Sequence, residues 1–168
     1  MSGAPALDDM ALMHAALEQA RLAAARGEVP IGAVVAIDGR IVAAAHNRTL
    51  LDGDPTAHAE IVALREAARA VGNHRLVGAT LVTTLEPCLM CCGALVQARI
   101  ARLAWAADDA KAGALAVLRS EMARRRVNHV IELSPGAGPL TGESSTLLRD
   151  FFRARRPDVG PGQGRAPS

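Results

Sequence analysis

Apolar spacing in this chain switches repeatedly between a helical and a strand repeat, and that alternation leaves few layered folds open. Residues 10–26 carry Leu12, Ala16, Leu17, Ala20 and Ala24 near a 3.6-residue period and close at Gly27, which predicts a helix. Residues 31–37 (IGAVVAI) and 40–45 (RIVAAA) read as two strands joined by an Asp38-Gly39 turn. A polar loop over 47–57 leads to a second helix at 58–71, ended by Gly72-Asn73. Residues 79–85 (ATLVTTL) read as a third strand, and Pro87 suits the start of a helix over about 88–99. Short strands at 103–106 and 129–133 flank a helix around 115–123, and a last helix is expected from about 145 to 156. Strands alternating with helices predict an α/β fold, a three-layer α/β/α sandwich on a five-stranded mixed sheet. Its first hairpin should be antiparallel and its later strands largely parallel.

Length and composition place this pattern in one domain. The 168 residues are half hydrophobic, mostly Ala, Val and Leu, with two Phe, one Trp and no Tyr, so a core must form by close packing of small side chains. Residues 1–156 read as that single domain, and 157–168 (PDVGPGQGRAPS) as a flexible tail too rich in Pro and Gly to pack. No apolar stretch approaches the roughly 20 residues that cross a bilayer. The N-terminus, MSGAPALDDM, lacks the basic-then-apolar order of a secretion signal, which makes the cytoplasm the expected location. Charge is uneven. Residues 1–98 hold seven Lys or Arg against ten Asp or Glu, and residues 99–156 hold eleven against six. A basic C-terminal half suggests a polyanionic partner, although a solvated arginine face would look the same.

Cys88, Cys91 and Cys92 crowd into five positions and cannot make a long-range disulfide framework, so metal or catalytic chemistry comes first. Two fragments carry that chemistry, His58-Ala59-Glu60 and Pro87-Cys88-Leu89-Met90-Cys91, each at the start of a helix. Three apart on a helix, Cys88 and Cys91 share a face and can reach one tetrahedral ion. With His58 they make three protein ligands and leave a fourth position open, the arrangement of a catalytic rather than a structural zinc site. Zinc there brings the pKa of bound water from about 16 to near 7. Glu60, two residues from the His ligand, is placed to move protons without being a ligand. Alone, the cysteines could be a redox pair and Glu60 a first-turn acid complementing the helix dipole. Cys92 lies about 100° around the helix from Cys91 and reads as a buried small residue. His14, His46, His74 and His129 read as satisfied by local partners. H-x-E together with P-C-x-x-C is the signature of zinc deaminases acting on nucleobases.

At these residues the sequence resembles bacterial tRNA-specific adenosine deaminases, within the cytidine deaminase-like superfamily, from about residue 10 to residue 156. The stretches that carry the likeness are EVPIGAVV from Glu28, HNR from His46, DPTAHAEIVALREA from Asp54 and ATLVTTLEPCLMCCGALVQARI from Ala79. DAKAGA from Asp109 and LLRDFFRARR from Leu147 complete it. The resemblance implies a cytidine deaminase-like fold, a homodimer with one zinc ion per subunit, and hydrolysis of adenosine to inosine at the wobble position of a tRNA anticodon. It implies zinc ligands at His58, Cys88 and Cys91, a proton shuttle at Glu60, and a base-binding amide at Asn47, which could otherwise close an Asx turn. Val29, Pro30 and Ala59 then belong to the substrate pocket. Asp109 and Lys111 belong to a loop near the anticodon backbone, or else form a surface salt bridge. Phe151, Phe152 and Arg153 match a helix bordering RNA, with Arg149, Arg155 and Arg156 adding phosphate attraction. Adjacent helical positions point in different directions, so one Phe should reach the core.

The resemblance also has departures. The segment before the Asp109 motif often reads aromatic-Gly-Ala-Arg, whereas here it is Trp105-Ala106-Ala107-Asp108, an acid in place of a base. The expected chemistry is capture of an unstacked anticodon adenine and attack of water at C6, with Glu60 delivering protons and ammonia leaving. A deaminase of free guanine or cytosine would use the same metal core. A non-catalytic zinc-stabilised RNA-binding module would need a fourth protein ligand, for which the sequence offers only Cys92.

Overall fold

The computed structural model describes residues 8–135 and 139–156, so the expected tail at 157–168 lies outside the described residues. Helix α1 (Asp9–Ala25) begins where the Asp8 carboxylate accepts from the Ala11 N–H at 2.8 Å, occupying one of the amides a first turn leaves free. Strands β1 (Gly32–Ile37) and β2 (Arg40–His46) form an antiparallel hairpin. Its turn residues Asp38 and Gly39 both have positive φ, 50° and 68°, which matches the twist of two-residue hairpins. There follow α2 (Thr49–Asp52), α3 (Ala59–Val71), β3 (Thr80–Leu85), α4 (Leu89–Gln97) and β4 (Arg102–Ala107). The chain continues through α5 (Leu115–Ala123), β5 (Glu132–Pro135) and α6 (Pro139–Ala154).

The strands lie in the order β2-β1-β3-β4-β5. β1 runs antiparallel to β2 and β3, whereas β3, β4 and β5 are mutually parallel. Alternate strand residues face opposite layers. Ala33, Val35, Leu81, Leu103 and Trp105 pack with Val62, Ala63, Leu95, Leu115 and Leu118 from α3, α4 and α5. On the other face Val34, Ala36, Val82, Ala104 and Ala106 pack with Leu12, Met13, Ala16 and Leu17 of α1 and Leu140 of α6. This is the expected three-layer sandwich on a five-stranded mixed sheet.

Most elements fall within one or two residues of their expected bounds, and three depart further. The polar loop after β2 contains the single turn α2, closed by Gly53 at φ 58°; four residues are too few to carry a period. β5 starts at Glu132 rather than 129, because His129 Nε2 lies 2.7 Å from Ile100 O and pairing opens at Arg102 and Glu132. α6 starts at Pro139 rather than near 145. Gly142 and the Ser and Thr residues beside it are weak helix formers, yet Thr141 and Ser144 hydroxyls donate to Ala106 O and Thr84 O, tying this turn to β4 and β3. Arg21 of α1 also pairs with Glu143 of α6.

The smallness of the α1–β1 contact is testable. A Cβ on Gly32 would sit 1.9 Å from Ala16 O and 2.6 Å from Ala20 N, whereas one on Gly142 would meet nothing within 4 Å. Gly32→Ala is expected to cost about 3 kcal/mol or more, and Gly142→Ala to stabilise by about 0.5–1 kcal/mol. Thermal unfolding measures both, and an unchanged Tm in Gly32→Ala would contradict this packing.

Candidate metal centre

His58 and Cys88 occupy the N-cap positions of α3 and α4. Both are extended there, with ψ 153° and 174°, and neither side chain makes a capping hydrogen bond. Their side chains are therefore free to act at the helix ends, and Cys91 follows one turn into α4. His58 Nδ1 lies 3.6 Å from the Sγ of Cys88 and 3.6 Å from that of Cys91. All three donor atoms fall within 4.8 Å of one another, the one such group among the described residues.

Burial sets their chemistry. It holds His58 below its ordinary value, so the imidazole stays neutral with a lone pair to give. It also pushes the Cys91 thiol up, with the charges of Glu60 and Cys88 acting in the same direction. A cation among these donors would reverse that penalty by favouring the thiolate, so the donor set fits a metal ion. Glu60 sits in the first turn of α3 with 4% of its surface exposed. Burial pushes its carboxyl up to about 6, opposed by a backbone hydrogen bond and one with Cys91. A carboxyl poised near neutrality can both accept and release a proton. Cys92 is buried with its thiol directed to Pro87 O at 3.7 Å, as expected of a small core residue, and burial pushes it up to about 12.

A second acid braces this centre. The Glu86 carboxylate accepts from Asp109 N at 3.0 Å and from Leu115 N, the first residue of α5, at 3.1 Å. Gly113 then runs beside Cys88 as a single antiparallel bridge, and Ala114 N donates to Pro87 O at 3.0 Å. Asp109 is folded inward: its Oδ1 accepts from Lys111 N at 2.9 Å and Ala112 N at 3.1 Å. Among the described residues no ion pair joins the Asp109 and Lys111 side chains. Asp108 accepts from the Trp105 indole at 2.8 Å.

Next to this loop is an open cleft of about 890 Å³, lined by Val29, Asp109, Lys111, Phe152, Arg155 and Arg156 among others. None of His58, Glu60, Cys88 or Cys91 lines it. Pro30 is buried, and Ala59 is enclosed in the core with no exposed surface. Neither Phe reaches the core: Phe151 is half-buried and Phe152 is 52% exposed. The rings meet edge to face at 5.4 Å, and the Arg155 guanidinium stacks 3.6 Å over Phe151 while donating to Gly27 O at 2.9 Å. Arg149 donates to Thr146, and Arg153 lies 3.8 Å from Asp150. His46 contacts Arg26 and Asn47 O, whereas His14 and His74 are exposed.

Asn47 is buried, and its amide nitrogen lies 3.0 Å from Glu28 Oε2. Arg48 N donates to Ala57 O at 2.9 Å, which puts Asn47 beside the segment leading to His58. Sequence reasoning missed Glu28 and Glu86 as parts of the site. Their only signal is position, immediately before Val29-Pro30 and Pro87-Cys88, because no periodicity reveals an acid that gathers amides from another segment.

Residues 7–156 match the family of MafB19-like deaminases. The tRNA-specific adenosine deaminase of Haemophilus influenzae is 44% identical over 149 residues, covering 88% of this chain and 85% of that protein. A solved structure from studies of A-to-I editing by tRNA:A34 deaminases at the wobble position is 44% identical, with a TM-score of 0.76 over 82% of this chain and 98% of its own. A guanine deaminase from Nitrosomonas europaea is 27% identical, with a TM-score of 0.74 over 88% of this chain and 86% of its own.

The loop brace yields a test. A Cβ on Gly113 would fall 2.3 Å from Glu86 Cδ and 2.5 Å from Asp109 O. Gly113→Ala is expected to cost about 1–3 kcal/mol and to speed tryptic cleavage at Lys111. Wild-type Tm and cleavage rate together would mean that Glu86 does not hold the loop.

Proposed function

We propose that this chain, which belongs to the tRNA-specific adenosine deaminase family, hydrolyses adenosine to inosine at the wobble position of a tRNA anticodon. The observation that carries this reading is the convergence of His58 Nδ1, Cys88 Sγ and Cys91 Sγ beside the buried carboxyl of Glu60. In tetrahedral zinc sites, bonds of about 2.0–2.1 Å to nitrogen and 2.3 Å to sulfur put the two donors roughly 3.5 Å apart. The observed nitrogen–sulfur separations of 3.6 Å accord with that. His58, Cys88 and Cys91 would hold one zinc ion per subunit and leave its fourth position to solvent or substrate. When bound, zinc supplies the Lewis acidity that makes water a competent nucleophile near neutral pH.

The chain's own residues do the rest. Glu60 accepts a proton from the attacking water and delivers it to a ring nitrogen; it then takes the proton of the new C6 hydroxyl and passes it to the exocyclic amine, which departs as ammonia while C6 becomes a carbonyl. Asn47 hydrogen-bonds the bound nucleotide. Val29 and the Asp109–Lys111 loop flank it, while Phe152, Arg155 and Arg156 supply an aromatic face and positive charge along the cleft for the RNA backbone. Arg149 and Arg153 extend that charge along α6, with Phe151 held under Arg155. An unpaired loop base is a fitting substrate because it costs less to extrude than a paired one.

Residues 1–156 form one catalytic domain working in the cytoplasm; no helix among the described residues is long and apolar enough to cross a membrane. A homodimer is part of the same reading. Leu89 and Met90, apolar and exposed in the first turn of α4, are surface that a second copy would cover. Light scattering of the purified chain is expected to give twice the 17.4 kDa monomer mass, and a monomer at micromolar concentration would refute the dimer.

The activity is tested with an anticodon stem-loop bearing an unpaired wobble adenosine, alongside free guanine and cytosine. Inosine in the RNA alone is expected. Glu60→Gln should lower kcat by about 10²–10⁴-fold while retaining the metal. Turnover of a free base in place of RNA would keep the centre's chemistry and discard the tRNA substrate. Near-normal turnover by Glu60→Gln would discard the proton shuttle.

A further inference from the structure

Glu28 is 1% exposed just past the end of α1, where its backbone N–H donates to Ala23 O at 2.9 Å. Three donors converge on its two carboxylate oxygens. Oε1 accepts from Leu51 N at 2.7 Å, and Oε2 accepts from Asn47 Nδ2 at 3.0 Å and Thr49 Oγ1 at 3.3 Å. Asn47 Nδ2 also donates to Thr49 Oγ1 at 3.2 Å, so the NH₂ end of the amide faces the Glu28–Thr49 pair. The backbone of Asn47 is equally engaged, donating to Ile31 O at 3.0 Å and lying 2.7 Å, through its carbonyl, from His46 Nδ1. Among the described residues no donor reaches Asn47 Oδ1, and that atom is not among the fully enclosed polar atoms left without a partner.

The two ends of an amide have nearly the same shape, so only their hydrogen-bond partners decide which end faces where. A carboxylate accepts and cannot donate. Facing Glu28, Asn47 can turn only its NH₂ end inward, since the reverse would set oxygen against oxygen in a buried site. The same carboxylate reaches into α2 at Leu51, so amide and loop are set together.

From this we infer that Glu28 is a positioning residue: it locks the Asn47 amide with the oxygen toward the bound nucleotide, and Asn47 meets its substrate as a hydrogen-bond acceptor. The inference rests on the reading that Asn47 contacts the nucleotide in this deaminase. Its partner on the substrate is then an N–H or O–H group, such as an exocyclic amine or a ribose hydroxyl, and not a bare ring nitrogen. None of this depends on Glu28 touching the substrate.

Three variants and one spectroscopic measurement test it: Glu28→Gln, Asn47→Asp, the double variant, and side-chain amide exchange of Asn47 by NMR in the wild type and in Glu28→Gln. In the stem-loop assay, Glu28→Gln is expected to raise KM about tenfold with kcat within about threefold. Its metal content should be that of the wild type. Asn47→Asp sets two carboxylates together and should be worse. In the double variant the introduced glutamine can donate to the introduced aspartate, an oxygen again faces outward, and KM should return to within about threefold of wild type. A purely structural Glu28 would lower Tm and give no such recovery.

Asn47 amide protons are expected to exchange slowly in the wild type and quickly in Glu28→Gln. Wild-type KM in Glu28→Gln, no recovery in the double variant, or fast wild-type exchange would each overturn the role. If the wild type makes no inosine, the tRNA reading fails, and the exchange experiment still decides whether Glu28 orients the amide.

Discussion

The meeting of two helix starts, α3 at His58 and α4 at Cys88, is the constraint around which this molecule is arranged. An imidazole nitrogen 3.6 Å from each of two sulfurs, with a buried carboxyl two residues further along the same helix start, concentrates groups whose charged forms burial disfavours. Burial raises the Cys91 thiol and the Glu60 carboxyl and keeps His58 neutral. Such a cluster is costly as bare side chains and favourable around a cation. The sheet makes the meeting possible. β3 delivers the chain to Glu86, Pro87 and Cys88, while α3 packs on the same face of the sheet as α4 and presents His58 from its own start.

Around that centre, two loops are held by carboxylates, that of Glu28 buried and that of Glu86 partly buried. Glu86 gathers the amides of Asp109 and Leu115, and Glu28 gathers Asn47, Thr49 and Leu51. Each carboxylate takes its donors from a loop and from the short helix that the loop leads into. A charge-assisted hydrogen bond is directional and stronger than a neutral one, so it fixes a loop more sharply than an alanine contact would. The Arg155 guanidinium does related work at the far side of the cleft, stacked on Phe151 and bonded to Gly27 O. Its basic charge and its brace on the α1 end come from the same side chain.

The small-residue core accounts for the close fit of the layers. Ala16 and Ala20 of α1 leave so little space above Gly32 that a single methyl would overlap the helix backbone. Close approach of this kind compensates for the scarcity of rings, since packing density rather than side-chain size supplies the contacts. It also keeps α1 and α6 tight on the sheet face opposite the metal centre.

Periodicity and turn chemistry in the amino-acid sequence alone determined the layer order, the Asp38-Gly39 hairpin and the α5 span, and the H-x-E and P-C-x-x-C motifs marked His58, Glu60, Cys88 and Cys91. Those are local properties: a 3.6 or 2.0 repeat, a residue with positive φ, ligands spaced one helical turn apart. The early start of α6 was illegible because its evidence is the bonds from Thr141 and Ser144 to strands 35 and 60 residues away. Both Phe residues missed the core because Arg155 and the neighbouring ring cover Phe151 where the sheet does not. Asp109 turned inward onto its own loop amides, and Ala59 sank into the core, for reasons equally remote from their neighbours in sequence. Motif spacing can say which atoms are able to bind a metal, since that depends on residue type and helix geometry. Which acids lose their solvent, and which donors they gather in exchange, depends on segments far apart in the chain, and only the tertiary structure decided it.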